Sequence, residues 1–282
     1  MSETTHTAVC SGFELFYRDY ASASEKTPVI CLHGLTRNSL DFEDVAPVIS
    51  ESRRVLSLDF RGRGHSEWDS EWRNYQPLTY AEDTRCLLEQ AEVPRAIFFG
   101  TSLGGLVSMI LAYRHPELVA GVILNDIGPE IDPVGLSRIT EYTGMNSSSP
   151  DWPAAVTVNR QTYGDAWPGL SDERWLELTR RTYREGDDGR IHQAMDPQIG
   201  RAIREAGVEL GDPWDLFDAL KPIPAMVLRG AHSNILATPT VQEMQRRKPD
   251  LVTVEIPNRG HVPLLDEPES GLAIKRFLEP LP

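Results

Sequence analysis

Short apolar runs alternate with amphipathic helical patterns along most of the chain. Apolar runs bounded by turn residues are typical of strands buried on both faces of a sheet. We predict strands at 13–17, 29–32, 54–58, 96–99, 121–124, 225–228 and 251–256, the first of them an edge strand. We predict helices at about 80–91, 103–115, 241–247 and 269–278. This alternation predicts an α/β fold with a mostly parallel sheet covered by helices on both faces.

One segment, 129–222, breaks this rhythm. It contains helical patterns interrupted by Pro and Gly, and no convincing strand. We predict a helical cap at 129–222, inserted into a core formed by 1–128 and 223–282. Four of the six tryptophans lie in this segment, namely Trp152, Trp167, Trp175 and Trp214. They are candidate binding residues for a bulky apolar substrate. Alternatively, they only form the core of the short cap helices.

Composition narrows the classes of partner. The chain has 282 residues, 40% of them hydrophobic, and a net charge of −14. A strongly acidic protein is a poor match for nucleic acid or for anionic lipid. No apolar run has the length of a signal peptide or a membrane span. The three cysteines have no metal-like spacing, so we expect reduced, buried thiols and a cytoplasmic protein.

A candidate nucleophile stands between a predicted strand and a predicted helix. Residues 100–104 read Gly-Thr-Ser-Leu-Gly, which fits the pattern Gly-x-Ser-x-Gly. A sharp strand-to-helix turn forces the serine side chain out of the top of the sheet, and small flanking residues relieve crowding there. We therefore predict Ser102 as a nucleophile; the alternative is a serine that caps the helix.

A nucleophilic serine needs a base. Of the seven histidines, only His261 follows the last predicted strand, and Gly260 precedes it. A loop at that place can bring the imidazole over Ser102, although a surface histidine is the alternative. The histidines are dispersed, so we expect no metal site and no cofactor.

These motifs together resemble an α/β-hydrolase-fold serine hydrolase, and the resemblance covers almost the whole chain. It is carried by the stretches 33–34 (His-Gly), 61–66 (Arg-Gly-Arg-Gly-His-Ser), 100–104, 125–129 (Asn-Asp-Ile-Gly-Pro) and 260–268. The resemblance implies an eight-stranded, mostly parallel sheet with a helical cap. It implies an oxyanion hole formed by the backbone N–H groups of Leu35 and Leu103. A bacterial subgroup of esterases and lactonases, some acting on macrolides, is similar.

The third catalytic residue of the family, the acid that orients the histidine, departs from the family pattern in this sequence. The subgroup is expected to carry Asp after the strand 225–228, and this sequence has Asn234 there. Three interpretations follow. In the first, Asp126, which ends the strand 121–124, replaces the missing acid. In the second, Asn234 weakens catalysis and leaves a slow enzyme that is able to hold its substrate. In the third, the protein binds a ligand without catalysis. The alternative for Asp126 is a carboxylate that fixes a loop, and Asp59 is expected to organise the turn at 61–64.

The leading functional hypothesis is a carboxylic-ester or lactone hydrolase acting on a small molecule, with a macrolactone as the boldest substrate. A carbon–carbon bond hydrolase and a non-catalytic receptor are the alternatives. Dehalogenase and epoxide-hydrolase chemistry are disfavoured, because both use an Asp nucleophile, whereas the strand-to-helix turn of this sequence carries Ser102.

Overall fold

A computed structural model of the protein describes residues 3–144, 148–205 and 211–282. The strands of its main sheet are β1 Glu3–Cys10, β2 Phe13–Tyr20, β3 Val29–Leu32, β4 Val55–Leu58, β5 Ala96–Thr101, β6 Val119–Asn125, β10 Ala225–Gly230 and β11 Val252–Ile256. Their order is β1-β2-β4-β3-β5-β6-β10-β11. β1 and β2 run antiparallel to their neighbours, and the pairs from β4 to β11 are parallel. The prediction of an eight-stranded, mostly parallel sheet is confirmed.

The edge of this sheet differs from the prediction. The outermost strand is β1, and β2 lies inside it, so the prediction of an edge strand at 13–17 was wrong. Strand β1 is mostly polar and exposed, and only Ala8 and Cys10 point into the core. A strand with so few apolar positions leaves little periodic signal in the sequence.

Two hydrophobic cores lie on opposite faces of the sheet. In β5, Ala96 and Phe98 belong to one core, whereas Ile97 and Phe99 belong to the other. Successive residues of a strand point to opposite faces, so a strand covered on both sides is apolar throughout. This packing explains why the central strands appear in the sequence as continuous apolar runs.

The helices are α1 Ala46–Ser50, α2 Pro77–Gln90, α3 Leu103–Arg114, α4 Pro133–Tyr142, α5 Trp152–Tyr163, α6 Asp172–Thr182, α7 Gln198–Glu205, α8 Pro213–Asp218, α9 Thr238–Arg247 and α10 Pro268–Leu278. Helices α2 and α10 begin at a proline, which suits the first turn because that position needs no N–H donor. Within the described ranges, no helix is long and apolar enough to cross a bilayer.

The segment 129–222 contains α4–α8 and, contrary to prediction, a small antiparallel sheet. Its strands are β7 Ser148–Ser149, β8 Tyr183–Glu185 and β9 Ile191–Gln193, in the order β7-β9-β8. Strands of two or three residues are too short for their periodicity to be recognised. The division of the chain into core and cap stays a prediction.

The cysteines also differ from expectation. Cys10 and Cys86 form a disulfide, and only Cys31 is free and buried. The two residues are 76 positions apart in sequence, and α2 packs beside β1 so that their Cα atoms lie 5.8 Å apart. The prediction of three reduced thiols was therefore wrong. A cytoplasmic location stays a prediction.

This disulfide ties the edge strand to α2, which gives a testable effect on stability. Replacing Cys86 by alanine is expected to lower the free energy of unfolding by about 2–4 kcal/mol, because the unfolded chain loses a long-range constraint. Urea unfolding with and without dithiothreitol measures it. Dithiothreitol should lower the free energy of unfolding of the wild type by a similar amount and should leave that of the variant unchanged. A wild-type midpoint that is insensitive to the reductant would contradict the prediction.

Candidate active site

Ser102 lies at the sharp turn between β5 and α3. Its backbone has φ +49° and ψ −111°, a conformation that L-residues rarely adopt. The Ser102 N–H donates to the carbonyl of Asn125 over 3.0 Å, which fixes the turn to the end of β6. The first residue of the helix, Leu103, follows directly, so the positive end of the α3 dipole lies at the serine.

The two glycines of the motif are required by close backbone contacts. A Cβ on Gly100 would lie 2.3 Å from backbone atoms of Gly104 and Gly105. A Cβ on Gly104 would lie 1.9 Å from the carbonyl oxygen of Leu32 in β3. Only glycine allows this approach of strand, turn and helix.

The turn after β3 lies beside the serine. A Cβ placed on Gly34 would be 3.8 Å from Cβ of Ser102. Neither the Leu35 N–H nor the Leu103 N–H donates to a backbone or side-chain acceptor in the described part of the chain. Both N–H groups are therefore available to an external acceptor.

His33 fixes the peptide that carries the Leu35 N–H. Its Nε2 accepts from the Phe60 N–H over 3.0 Å, so its Nδ1 carries the proton and donates to the Gly34 carbonyl over 2.6 Å. Burial, helped by the charges of Arg63 and Arg37, lowers the pKa of His33 to about 3. The ring is therefore neutral at ordinary pH and keeps this tautomer.

Three of the candidate residues form a continuous hydrogen-bonded chain. Ser102 Oγ lies 2.9 Å from His261 Nε2, and His261 Nδ1 lies 2.8 Å from Asp126 Oδ2. Because a carboxylate only accepts, Nδ1 is the donor and Nε2 accepts from the serine hydroxyl. The Asp126 side chain is fully buried, and it also accepts from the Gly230 N–H and the Ser233 hydroxyl.

Asn234 lies apart from this chain of hydrogen bonds. Its side chain is exposed at the rim of the cavity that also contacts His261, and it makes no hydrogen bond to that histidine among the described residues. The neighbouring Ser233 instead turns inward, and its hydroxyl donates to Asp126 over 2.6 Å. Asp59, the further carboxylate considered, accepts from the N–H groups of Ser39 and His65, which is the turn-organising position expected for it.

The segment 129–222 holds the loop that carries His261. The Gly260 N–H donates to the carbonyl of Ala166 over 2.7 Å. The indole N–H of Trp167 donates to the carbonyl of Val262, also over 2.7 Å. Sequence reasoning missed these contacts, because nothing in the sequence links Trp167 to a loop 95 positions away.

The four candidate tryptophans are not among the described residues that line the cavity beside His261. Trp167 and Trp175 are buried in a small apolar cluster with Leu178 and Leu264. Trp152 packs on a second cluster, and Trp214 donates its indole N–H to a carboxylate of Glu130. A role of these tryptophans in substrate binding therefore stays a prediction.

Two neighbouring cavities share part of their walls, and one of them contacts His261; together they are called the cleft. One of about 300 Å³ contacts His261 and Asn234, and the other of about 310 Å³ extends towards Gln193. They share four lining residues, Arg138, Tyr142, Thr162 and Tyr163. The Tyr163 hydroxyl also hydrogen-bonds Thr36 over 3.0 Å, which connects the cleft wall to the turn after β3.

Known proteins are similar to this chain in sequence and in fold. The model of the alpha/beta hydrolase fold family matches residues 27–173. A 3-hydroxybutyrate-oligomer hydrolase of Cupriavidus necator is 32% identical over 89% of this chain and 88% of its own length. An esterase of Mycobacterium tuberculosis is 26% identical over 88% of this chain and 81% of its own length.

The solved structures agree with the sequence relatives. An α/β hydrolase from Novosphingobium aromaticivorans superposes with a TM-score of 0.93 at 39% identity, covering 98% of each chain. An enol-lactonase from Burkholderia xenovorans has a TM-score of 0.74 at 21% identity, which shows a common fold. With its eight-stranded sheet and these relatives, the chain belongs to the α/β-hydrolase-fold family and is a hydrolase.

Proposed function

We propose that the protein hydrolyses carboxylic esters through a serine nucleophile. The observation that carries the proposal is the hydrogen-bonded chain Ser102–His261–Asp126, with distances of 2.9 and 2.8 Å. A nucleophile, a base and an acid that orients the base are the parts that acyl transfer needs. Saturable hydrolysis of p-nitrophenyl butyrate tests it; a purified, folded protein without such activity would contradict it.

Each residue of the site then has a defined role. The Ser102 hydroxyl attacks the ester carbonyl while His261 takes its proton, and Asp126 stabilises the imidazolium. The N–H groups of Leu35 and Leu103 donate to the oxyanion. His261 then protonates the leaving alkoxide, and a water activated by the same histidine releases the acid.

The cleft favours a linear substrate of modest width. Two neighbouring cavities of about 300 and 310 Å³ offer room for a chain extending away from His261. The relative from Cupriavidus necator is named for 3-hydroxybutyrate oligomers. A linear oligoester of a hydroxy acid ends in a carboxylate, and Arg138 is the cation that lines both cavities in the described part of the chain. We therefore propose short oligoesters of this type as the substrate class.

The other candidate functions differ from ester hydrolysis in the substrates that they would turn over. A macrolide or another macrolactone, the boldest expectation from sequence, needs a wider site than a cavity of about 300 Å³ beside His261. A lactonase, a carbon–carbon bond hydrolase and a non-catalytic receptor share the same fold. Turnover of a linear ester without turnover of a macrolactone or of a vinylogous diketone selects the present proposal among them.

Arg138 gives a prediction about substrate charge. Its Nη2 contacts Asp165 over 3.0 Å, and both side chains are exposed, so this pair contributes little; the other N–H groups of Arg138 have no partner among the described residues. Replacing Arg138 by glutamine is expected to raise KM for mono-p-nitrophenyl glutarate about five- to tenfold, since a charge-assisted hydrogen bond is lost. KM for p-nitrophenyl pentanoate, which has the same chain length and no carboxylate, should stay within about twofold.

A matched arginine controls for net charge. Arg201 in α7 has the same exposed fraction as Arg138, 44%, and pairs with one exposed acid, Glu205. Because Arg201 does not line the cleft, Arg201→Gln should leave both KM values unchanged. Equal effects of the two substitutions would mean that Arg138 acts only through overall charge.

A further inference from the structure

A buried cation beside the oxyanion turn lacks a carboxylate partner among the described residues. Arg63 is fully buried, and its Nε donates to the carbonyl of Leu35 over 3.1 Å. Its Nη1 donates to the Arg61 carbonyl over 2.9 Å and to the Tyr80 hydroxyl over 2.7 Å. Nη2 has no hydrogen-bond partner within the ranges that the structure describes. Since a guanidinium stays protonated in proteins, neutral groups alone hold this charge.

The tyrosine beside Arg63 does not neutralise it. Burial raises the pKa of the Tyr80 phenol, so its hydroxyl is neutral, and the guanidinium lies 4.6 Å from the centre of its ring. The neighbouring Arg61 is different, because it contacts Asp83 over 2.6 Å and Asp69 over 2.7 Å. A buried charge without an opposite charge is costly, so a positive charge held at this place is unusual.

We infer that Arg63 is a positioning residue for ester hydrolysis: it fixes the turn at Leu35 and supplies an uncompensated positive charge where the oxyanion forms. The inference rests on the proposed function, in which the Leu35 N–H binds that oxyanion. During attack, negative charge moves onto the former carbonyl oxygen. A fixed positive charge in a low-dielectric site stabilises this state more than it stabilises the neutral ester.

The residues around the turn at Leu35 support the claim that Arg63 supplies positive charge there. The charges of Arg63 and Arg37 both act on His33, which precedes Gly34 and Leu35. Arg37, however, has its own carboxylate partner, since its Nη2 contacts Asp41 over 2.7 Å. Of these two arginines, only Arg63 lacks a carboxylate partner in the described part of the chain.

Two substitutions test the role. Arg63→Met removes the charge and the hydrogen bond to Leu35 while keeping a long side chain, and it is expected to lower kcat for p-nitrophenyl butyrate about 10- to 100-fold. KM should change less than about twofold, because the neutral ester does not use the charge. Arg63→Lys keeps the charge without the planar fork, so it should lose less kcat than Arg63→Met, about three- to tenfold.

An inhibitor separates this role from a merely structural one. A trifluoromethyl ketone forms a tetrahedral adduct with the serine oxygen and places an oxyanion in the same hole. Its affinity should fall in Arg63→Met by the same factor as kcat/KM. A residue that only supports the fold would change the amount of folded protein and leave both quantities per folded molecule unaltered.

Arg53 provides a matched control. It is also buried and donates only to carbonyl oxygens among the described residues, those of Thr27, Leu278, Leu281 and Pro282, and it lies beside the last residues of the chain, away from Ser102. Arg53→Met should lower the melting temperature but leave kcat of the folded protein within about twofold.

The outcomes are distinct. The inference is overturned if Arg63→Met keeps kcat within twofold, or if Arg53→Met loses as much. Where Arg63→Met does not fold, Arg63→Gln replaces it, because it also removes the charge; an unchanged kcat in that variant overturns the inference as well. If the wild type hydrolyses no ester and forms no adduct with the ketone, the proposed function fails and this inference fails with it.

Discussion

Replacing Ser102 by alanine is expected to lower kcat for p-nitrophenyl butyrate by about 10⁵- to 10⁶-fold. The hydroxyl is the only group of the hydrogen-bonded chain that is placed to bond covalently to the acyl carbon. Without the hydroxyl no acyl-enzyme can form, and only direct attack of a water molecule on the ester remains. The loss should be in kcat, with KM for the ester nearly constant, because ground-state binding does not need the hydroxyl. Steady-state kinetics over a range of ester concentrations measures it.

A second serine of the same region is the control. Ser108 is buried in α3, and its hydroxyl donates to the carbonyl of Gly104 over 2.8 Å. Ser108→Ala removes a buried hydroxyl without touching the hydrogen-bonded chain, so kcat should stay close to wild type. Activity retained in Ser102→Ala would show that another residue is the nucleophile.

Replacing Asp126 by asparagine is expected to lower kcat by about 10⁴-fold. An amide cannot stabilise the imidazolium, and its NH₂ group can favour the wrong histidine tautomer. In serine proteases, exchanging the triad aspartate for asparagine costs a factor of about this size for the same reason. The substitution is nearly isosteric: an amide oxygen at the Oδ1 position still accepts from the Gly230 N–H, and the Ser233 hydroxyl, which donates to Oδ2 in the wild type, can turn to accept from the NH₂ group. Circular dichroism and thermal unfolding verify the fold before the kinetics are compared.

The matched variant for this prediction is Asn234→Asp. It places a carboxylate where the subgroup is expected to carry one, yet Asn234 is exposed and makes no hydrogen bond to His261 in the described part of the chain. We expect kcat within about twofold of wild type. A rise of orders of magnitude in Asn234→Asp, with little loss in Asp126→Asn, would show that the acid is not Asp126.

The fold was largely predictable because its strands are covered on both faces. β3, β5 and β6 are continuous apolar runs, and such runs are visible without knowledge of their neighbours. β1 was missed since only two of its residues face the core. The disulfide between Cys10 and Cys86 was missed because it depends on how α2 packs against that unpredicted strand.

The choice between Asp126 and Asn234 could not be made from sequence for a topological reason. β6 and β10 are parallel neighbours, so residues after both strands reach the same edge of the sheet. Either position can therefore face His261, and side-chain direction decides between them. Asp126 has φ +57° and a buried carboxylate that contacts His261, whereas Asn234 is exposed at the rim of the cavity. Such backbone detail leaves no periodic signal.

Fluorophosphonate labelling followed by peptide mapping tests most directly whether Ser102 is a nucleophile activated through His261 and Asp126. We expect one rapid adduct on Ser102 in the wild type and in Asn234→Asp, slow labelling in Asp126→Asn, and none in Ser102→Ala. This pattern requires an activated serine whose base is oriented by Asp126. An adduct on a different residue, or rapid labelling that survives in Asp126→Asn but is lost when residue 234 is changed, would contradict these roles.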